Sequence, residues 1–308
     1  MTAFATLLTP EVLDISRGEG RGAADARLRS VSAKRMPFEE RFRRPAVMGV
    51  LNVTPDSFSD GGHFFRPDDA ISHARRLLSE GAAIVDVGGE STRPGARPVS
   101  AEEELARVAP VLRALRDAPI SIDTSKAAVA RGALELGAEM VNDVTALRAD
   151  PELAEVVAEY NAYLCLMHMQ GEPRTMQEAP RYEDVVSEVA SFLEGRLEHA
   201  LGQGIHEERI CLDPGIGFGK TVEQNLELVR RLNVLIALGR PVLVGFSRKS
   251  SLGRILGDPR ATQGTLPASL GAAVAAFERG AWMLRVHNVR ETVEALMIAA
   301  AVEAGAAR

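Results

Sequence analysis

Residues 47–62 read VMGVLNVTPDSFSDGG. The first five, Val47 to Leu51, form an apolar run with the length of a strand that is buried on both faces. The run ends at Asn52, and a loop rich in Thr, Pro, Asp, Ser and Gly follows it. This order is typical of α/β proteins, which place their functional groups at the carboxyl ends of parallel strands.

The same order recurs along the chain, and each apolar run is followed by a helical pattern. Further strands are predicted at 84–89, 120–124, 139–143, 163–168, 209–213, 242–246 and 282–287. Helices are predicted at 67–81, from Ser100 as a cap, at 126–137, 151–160, up to about 201, at 222–238, before 280 and at 290–304. Eight strands that alternate with helices predict an α/β fold with a single (β/α)8 TIM barrel. The alternative, an open doubly wound sheet, usually carries a glycine-rich turn after its first strand, and residues 52–55 read NVTP.

The barrel is predicted to occupy residues 45–308, and residues 1–44 form a partly ordered N-terminal arm. The stretch 27–44 is crowded with Arg, Lys and Glu. Such charge runs are usually solvated faces, which is the preferred interpretation here over a basic docking patch.

The composition excludes some classes of partner. The net charge of −6 argues against a nucleic-acid partner, because nucleic-acid-binding domains are usually basic. No stretch approaches the roughly 20 apolar residues of a membrane helix, so no membrane partner is expected. With no recognisable targeting segment and two cysteines in apolar runs, we expect reduced thiols and a cytoplasmic protein.

Polar residues stand at the predicted carboxyl ends of the strands or in the loops after them. They are Asn52, Thr92, Arg93, Asp123, Asn142, Asp143, His168, Asp213, Lys249, Arg285 and His287. Any one of them could be a helix cap or a turn residue, but their shared position predicts a site. The Asp, Asn and Lys members can surround a heterocycle with hydrogen-bond donors and acceptors, and the Arg and His members suit a phosphate. No nucleophile–base pair or tight His/Cys/Glu cluster is evident, which argues against covalent catalysis and a zinc site.

Residues 215–221 read GIGFGKT and superficially look like a phosphate-binding loop. The spacing is wrong for that motif and for the dinucleotide motif. A glycine-rich floor beneath a flat ligand is the preferred interpretation.

Several motifs together resemble the dihydropteroate synthase family. They are LNVTPDSFSDGG, IVDVGGESTRPGA, SIDTSK, MVNDV, LMHMQGEPRTMQ, LDPGIGFGKT, GFSRKS and RVHNVRET, in this order from about residue 45 to the end. The resemblance implies a (β/α)8 barrel, usually homodimeric, that acts in folate synthesis and is the target of sulfonamides. It implies a transferase that joins dihydropterin diphosphate to 4-aminobenzoate and releases diphosphate with the help of Mg²⁺.

The resemblance also implies a role for individual residues. Asn52 is the implied Mg²⁺ contact. The implied pterin and diphosphate contacts are Thr92, Asp123, Asn142, Met167, Asp213, Lys249, Arg285 and His287, and Asp123, Lys249, Arg285 and His287 among them are implied in catalysis. The implied aminobenzoate contacts and covering loops are Phe58, Asp60, Arg93, Pro94, Phe218, Lys249 and Ser250, the last at the start of a helix.

Three departures from the family pattern leave alternatives open. Asn288 stands where the family usually has Asp, Pro267 stands where it usually has a small residue, and the N-terminal arm matches nothing in the family. The alternatives are a pterin-binding paralogue without turnover and a methyltetrahydrofolate–corrinoid methyltransferase. The methyltransferase would not need Arg285 and His287.

Overall fold

Eight parallel strands lie side by side in one sheet in the computed structural model, which describes residues 36–54, 67–91, 97–171, 176 and 180–305. The strands are β1 Ala46–Asn52, β2 Ile84–Gly88, β3 Ile120–Asp123, β4 Met140–Asp143, β5 Tyr163–Met167, β6 Ile210–Asp213, β7 Leu243–Val244 and β8 Met283–Val286. Their order is β6-β5-β4-β3-β2-β1-β8-β7. A parallel bridge between Leu212 and Val242 links β6 to β7, so the sheet closes. The predicted (β/α)8 barrel is confirmed.

Helices follow the strands and cover the outside of the sheet, except for α1, which precedes β1. They are α1 Phe38–Arg41, α2 Pro67–Ser79, α3 Ala101–Ala114, α4 Ala127–Glu135, α5 Glu152–Glu159, α6 Val185–Gly202, α7 Val222–Arg230, α8 Leu232–Ile236, α9 Ser250–Ile255, α10 Leu266–Glu278 and α11 Val289–Glu303. None of the helices among the described residues is long and apolar enough to cross a bilayer.

Several helix starts have the side-chain caps that satisfy otherwise unpaired backbone N–H groups. The Ser100 hydroxyl accepts from the backbone N–H of Glu103 at 3.2 Å, as its position before α3 predicts. Thr221 and Gln224 form a full capping box at the start of α7. Thr265 caps α10, and Pro267 lies in the first turn of that helix, where its missing N–H costs nothing.

The prediction of a single helix over 222–238 is wrong, because α7 ends at Arg230 and α8 begins at Leu232. Arg231, between them, has a ψ angle of 33°, outside the helical range. Its guanidinium bonds the Asp184 carboxylate at 2.8 Å, at the start of α6. No Gly or Pro marks this break in the sequence, so local sequence signals could not predict it.

The barrel interior is filled from its amino end by apolar side chains, and the polar side chains lie nearer the carboxyl end. Phe38 and Phe42 contact Tyr163 with ring centroids 5.9 and 5.3 Å away, and both phenylalanines are completely buried. They join strand residues such as Met48 and Met140 in one cluster. Residues 36–42 therefore cover the amino end of the barrel. The rest of the predicted N-terminal arm, residues 1–35, lies outside the described residues, and the boundary at residue 44 stays a prediction.

Candidate active site

Three polar residues lie in one row across the inner face of the sheet, at the carboxyl ends of their strands. In the strand register Asn52 pairs with Gly88, Gly88 with Asp123, and Asp123 with Asn142. Side chains of paired residues point to the same face of a sheet. Gly88 has no side chain, and a Cβ there would lie 3.7 Å from both Asn52 Oδ1 and Asp123 Oδ2. The glycine therefore leaves space between these two oxygens.

The side chain of Arg285, which pairs with Met48 in the register, reaches this row from β8 and forms two ion pairs inside the barrel. Its Nε donates to Asp86 Oδ2 and its Nη2 donates to Asp123 Oδ2, each at 2.7 Å. Burial alone would lower the pKa of Arg285, but the two carboxylates outweigh burial and raise it. The guanidinium therefore stays cationic. Such charge-assisted bonds are the strongest hydrogen bonds in proteins, and they fix the plane of the side chain.

The protonation state of Asp123 depends on its burial and on the charged groups around it. Burial, together with the nearby Asp86 carboxylate, raises the pKa of Asp123 to about 7 against the opposing effect of the Arg285 guanidinium. A carboxyl that titrates near neutral pH is a frequent feature of functional sites. Its ionisation here depends on Arg285 remaining in place.

Asp213 and Lys249 form the opposite wall of the interior. Asp213 Oδ1 accepts from the Gly215 backbone N–H at 2.7 Å, and burial raises the pKa of Asp213 to about 6. Burial and, to a smaller extent, the positive charge of Arg285 lower the pKa of Lys249 to about 8. The Lys249 ammonium lies 4.3 Å from the centroid of the Phe218 ring, a cation–π geometry. The wall thus offers an acceptor beside a donor.

An apolar surface borders these polar groups. Met167, the last residue of β5, and Phe218 pack together in a small buried cluster with Val144, Met169 and Met176. Met167 pairs with Asp213 in the register, so both point into the barrel. A flat heterocycle could meet this apolar surface with its face and the polar side chains with its edge.

His287 and Asn288 complete the rim after β8. The Ser247 hydroxyl accepts from the His287 backbone N–H at 3.2 Å and lies 3.1 Å from its Nδ1. Asn288 Oδ1 accepts from Nε and Nη2 of Arg248, at 3.2 and 2.8 Å. The Asn288 side chain therefore orients an exposed arginine and does not touch Arg285.

Two strand-end residues lie outside the site that their position predicted. Asp143 follows the inward-facing Asn142 and points outward, where its carboxylate accepts from the backbone N–H groups of Thr145 and Leu147. His168 packs edge-on against Phe192 of α6, with ring centroids 4.8 Å apart. Side chains alternate between the two faces of a strand, so neighbours of a site residue face the helices.

The Lys220 side chain bonds carbonyl groups of its own glycine-rich loop and does not project from the loop as a phosphate-binding lysine would. Lys220 is 3% exposed, and its ammonium donates to the carbonyls of Gly215 and Phe218 at 3.0 and 2.9 Å. It also lies 2.9 Å from His168 Nδ1. Burial lowers the pKa of His168 to about 3, so the ring is neutral and its Nδ1 can accept this hydrogen bond.

The comparisons with known proteins agree with this geometry. The family model of pterin binding enzymes matches residues 48–287. The dihydropteroate synthase of Escherichia coli (strain K12) is 48% identical over 257 residues, which are 82% of this chain and 90% of that protein. The chain belongs to the dihydropteroate synthase family.

Two solved structures of dihydropteroate synthase extend the match to the fold. The Xanthomonas albilineans enzyme with 4-aminobenzoic acid is 46% identical with a TM-score of 0.78, over 85% of this chain and 94% of that one. The same organism's enzyme in complex with 7,8-dihydropteroate is 43% identical with a TM-score of 0.75, over 85% and 95% of the two chains. The chain is thus a transferase of folate biosynthesis, a dihydropteroate synthase.

The barrel brings together most of the residues that resemble the binding set of dihydropteroate synthases. Those that converge at the carboxyl end are Asn52, Asp123, Asn142, Met167, Asp213, Phe218, Lys249, Arg285 and His287. Ser250 is the first residue of α9, directly after Lys249. Phe58, Asp60, Thr92, Arg93 and Pro94 lie outside the described residues, and their roles stay predictions.

Asp86 is the residue of this dihydropteroate synthase site that the sequence did not single out. It lies in the middle of β2, at a position where a strand buried on both faces normally carries an apolar side chain. An Asp is almost never fully buried unless it is paired, so a carboxyl group inside an apolar strand was the sequence signal that could have identified Asp86.

Gly215→Ala is expected to destabilise the protein far more than Gly204→Ala. Both glycines have positive φ angles, 68° and 83°. A Cβ at Gly215 would lie 1.8 Å from the His168 carbonyl oxygen, whereas a Cβ at Gly204 would meet nothing within 4 Å. We expect Gly204→Ala to cost about 1 kcal/mol, the backbone strain alone, and Gly215→Ala to exceed about 3 kcal/mol. Urea unfolding of the two variants measures the difference, and equal losses would contradict the close approach.

Proposed function

We propose that the carboxyl-end pocket binds the pterin ring of dihydropterin diphosphate through Asp123, Asn142, Asp213 and Lys249. The observation that carries this proposal is the convergence of these four side chains, two of them buried and two half-buried, around one interior space. Carboxylate and amide oxygens accept from the ring N–H and amino groups of a pterin, and the lysine donates to a ring nitrogen or carbonyl. Met167 supplies an apolar contact to the ring face, next to Phe218.

Arg285 and His287 hold the diphosphate in this proposal. The hydrogen bonds of Arg285 use Nε and one N–H of Nη2, and its other guanidinium N–H groups have no partner among the described residues. If the Ser247 hydroxyl, which accepts from the His287 backbone, donates its own proton to Nδ1, the ring proton resides on Nε2. In that tautomer Nε2 is the donor, so Ser247 prepares the imidazole to donate to an anion.

Asn52 fits the role of a Mg²⁺ contact. Its amide oxygen stands at the end of β1, beside the space that Gly88 leaves open. Mg²⁺ in phosphate sites is typically held by one or two protein oxygens together with substrate phosphates and water, which suits this sparse donor set. When bound, the ion would neutralise negative charge on the diphosphate.

The aminobenzoate is proposed to lie between Phe218, Lys249 and Ser250, covered by Phe58, Asp60, Arg93 and Pro94, with Thr92 near the diphosphate. The support for this part is the placement of Lys249 over the Phe218 ring and of Ser250 at the start of α9.

The reaction follows from positioning and charge stabilisation. The bond between the pterin methylene carbon and the diphosphate oxygen breaks, and its electron pair leaves with the diphosphate, toward Arg285 and His287. Positive charge spreads over the pterin, where the ionised Asp123 stabilises it. The lone pair of the aminobenzoate nitrogen then forms a bond to the methylene carbon, and the nitrogen loses a proton. Such preorganised electrostatics can supply most of a barrier without a nucleophilic side chain.

The assay that tests this proposal follows diphosphate release by the purified chain. With dihydropterin diphosphate, 4-aminobenzoate and Mg²⁺, we expect diphosphate and 7,8-dihydropteroate in equal amounts. The Asn52→Ala variant is expected to need a higher Mg²⁺ concentration for half-maximal rate. Tight pterin binding without product would instead favour the paralogue without turnover, and dependence on a corrinoid protein would favour the methyltransferase.

We further propose that the chain works as a homodimer in the cytoplasm. Helix α11 exposes Met297, Ile298 and Val302 by 65%, 69% and 77%, an apolar face that a second copy of the chain could cover. Cys165 and Cys211 are both free thiols although they pair in the strand register, which suits a reducing compartment.

A further inference from the structure

Asp86 is placed so that it determines which end of the Asn142 amide faces the pocket. Asp86 is completely buried, and its Oδ2 accepts from Asn142 Nδ2 at 2.9 Å and from Arg285 Nε at 2.7 Å. An ionised carboxylate only accepts hydrogen bonds, so the amide nitrogen of Asn142 must face it. The opposite orientation would bring Asn142 Oδ1 against a carboxylate oxygen, with no proton between them.

With its amide nitrogen facing Asp86, Asn142 is left with an amide oxygen that needs a hydrogen-bond donor from another group. Asn142 Oδ1 is buried and has no hydrogen-bond partner among the residues that the structure describes. Asn142 points to the same inner face as Asp123, its register partner. A buried acceptor without a partner costs free energy, so a ligand that donates to it gains affinity and a ligand that presents a second acceptor is rejected.

We propose that Asp86 is a positioning residue that makes Asn142 an obligate acceptor, and thereby makes the pocket select heterocycles that present an amino group, and not a carbonyl oxygen, to Asn142. The proposal rests on the proposed role of Asn142 in pterin binding and adds to it the source of the specificity. Pterin carries an amino group at position 2, next to a ring N–H, whereas lumazine has a carbonyl oxygen in place of that amino group. The two rings have nearly the same shape, so the difference in their binding reports the polarity of the pocket wall.

Three variants separate positioning from general structural support. Asp86→Ala removes the acceptor, so the Asn142 amide can turn and donate to lumazine. Asp86→Asn keeps an acceptor oxygen that can face both Asn142 and Arg285, so it should retain the orientation. Asp143→Ala is the matched control, because Asp143 is also a buried aspartate near Asn142 but bonds Thr145 and Leu147 outside the barrel.

Calorimetric titration with pterin and with lumazine gives the discrimination ratio of each protein. We expect the wild type to bind pterin at least about 100-fold more tightly than lumazine. The ratio should fall at least about tenfold in Asp86→Ala, stay within about threefold of wild type in Asp86→Asn, and be unchanged in Asp143→Ala even if that variant melts earlier. An unchanged ratio in Asp86→Ala would overturn the positioning role alone. A wild type that binds both rings equally would also overturn it, and a wild type that binds no pterin would overturn the proposed function as well.

A second measurement uses the wild-type protein and so does not depend on the folding of Asp86→Ala. The side-chain amide of Asn142 can be observed by NMR after labelling with ¹⁵N-asparagine, and the Asn142→Ala spectrum identifies its signal. We expect slow hydrogen exchange of this NH₂ group in the free protein and no loss of protection when pterin binds, because pterin contacts Oδ1. Exchange as fast as that of an exposed asparagine would overturn the proposal.

Discussion

Arg285→Ala is expected to cost the protein both activity and stability. The variant leaves the buried carboxylates of Asp86 and Asp123 without their shared guanidinium. Removing one partner of a buried ion pair typically costs about 3–5 kcal/mol of stability. The loss of the proposed diphosphate contact should lower kcat/KM by at least about 100-fold, which corresponds to roughly 2.7 kcal/mol. Urea unfolding and the dihydropteroate assay measure the two losses separately.

The pH dependence of the Arg285→Ala defect provides a sharper check. Arg285 opposes the rise in the pKa of Asp123, so its removal should move that pKa above about 7. A carboxyl with a raised folded-state pKa destabilises the protein once it ionises, because the unfolded chain binds its protons less tightly. The Asp123 share of the defect should therefore be absent near pH 5 and grow as the pH rises through 7. Arg285→Lys is the matched control, since it keeps the charge but cannot bond both carboxylates in the same fork geometry. A defect that is the same at pH 5 and pH 8 would contradict the ion-pair assignment.

The placement of polar residues at the carboxyl end of the barrel could be predicted from the sequence, but the inward or outward direction of each side chain could not. The apolar runs that end on Asn52, Asp123 and Asp213 indicated strand ends, and strand ends meet at one edge of a barrel. The run that ends at Asn142 and Asp143 indicated two polar residues, of which only one can face the interior. The face is set by the position of Met140 in the register, and that pairing is a tertiary property.

For Asp86 the sequence predicts the strand but not the partner of the side chain. It lies inside an apolar run, so its strand was predicted, while its buried carboxylate is paired with Arg285, which lies 199 positions away in the chain. Nothing local to Asp86 identifies this partner. Lys220 is similar, because its sequence context resembles a phosphate-binding loop, and only the fold brings the carbonyls of its own loop around the ammonium. Buried polar groups are paired by the fold, and the identity of the partner appears only when the strands are in register.

Asp123→Asn is expected to separate catalysis from stability in a way that Arg285→Ala cannot. The substitution keeps the size of the side chain and leaves the ion pair between Arg285 and Asp86 intact. It removes a carboxyl whose burial raises its pKa to about 7 and which therefore opposes folding when ionised. At pH 8 we expect a free energy of unfolding within about 1 kcal/mol of wild type, together with a loss of at least about 100-fold in kcat.

The rate loss in Asp123→Asn should depend on pH. In the proposed reaction Asp123 must be ionised to stabilise positive charge on the pterin, so the wild-type rate should fall as the pH drops below about 7. The variant carries no titrating group at this position, so that limb of its pH–rate profile should be absent, and the ratio of the two rates should shrink toward pH 5. Single-turnover measurements of dihydropteroate formation across this range test the prediction, and Asp143→Asn serves as the control because that aspartate faces the outer helices. If Asp123→Asn keeps the wild-type rate at pH 8, the charge on the pterin is stabilised elsewhere, and Asp213, the other buried carboxylate with a raised pKa in the pocket, becomes the residue to replace.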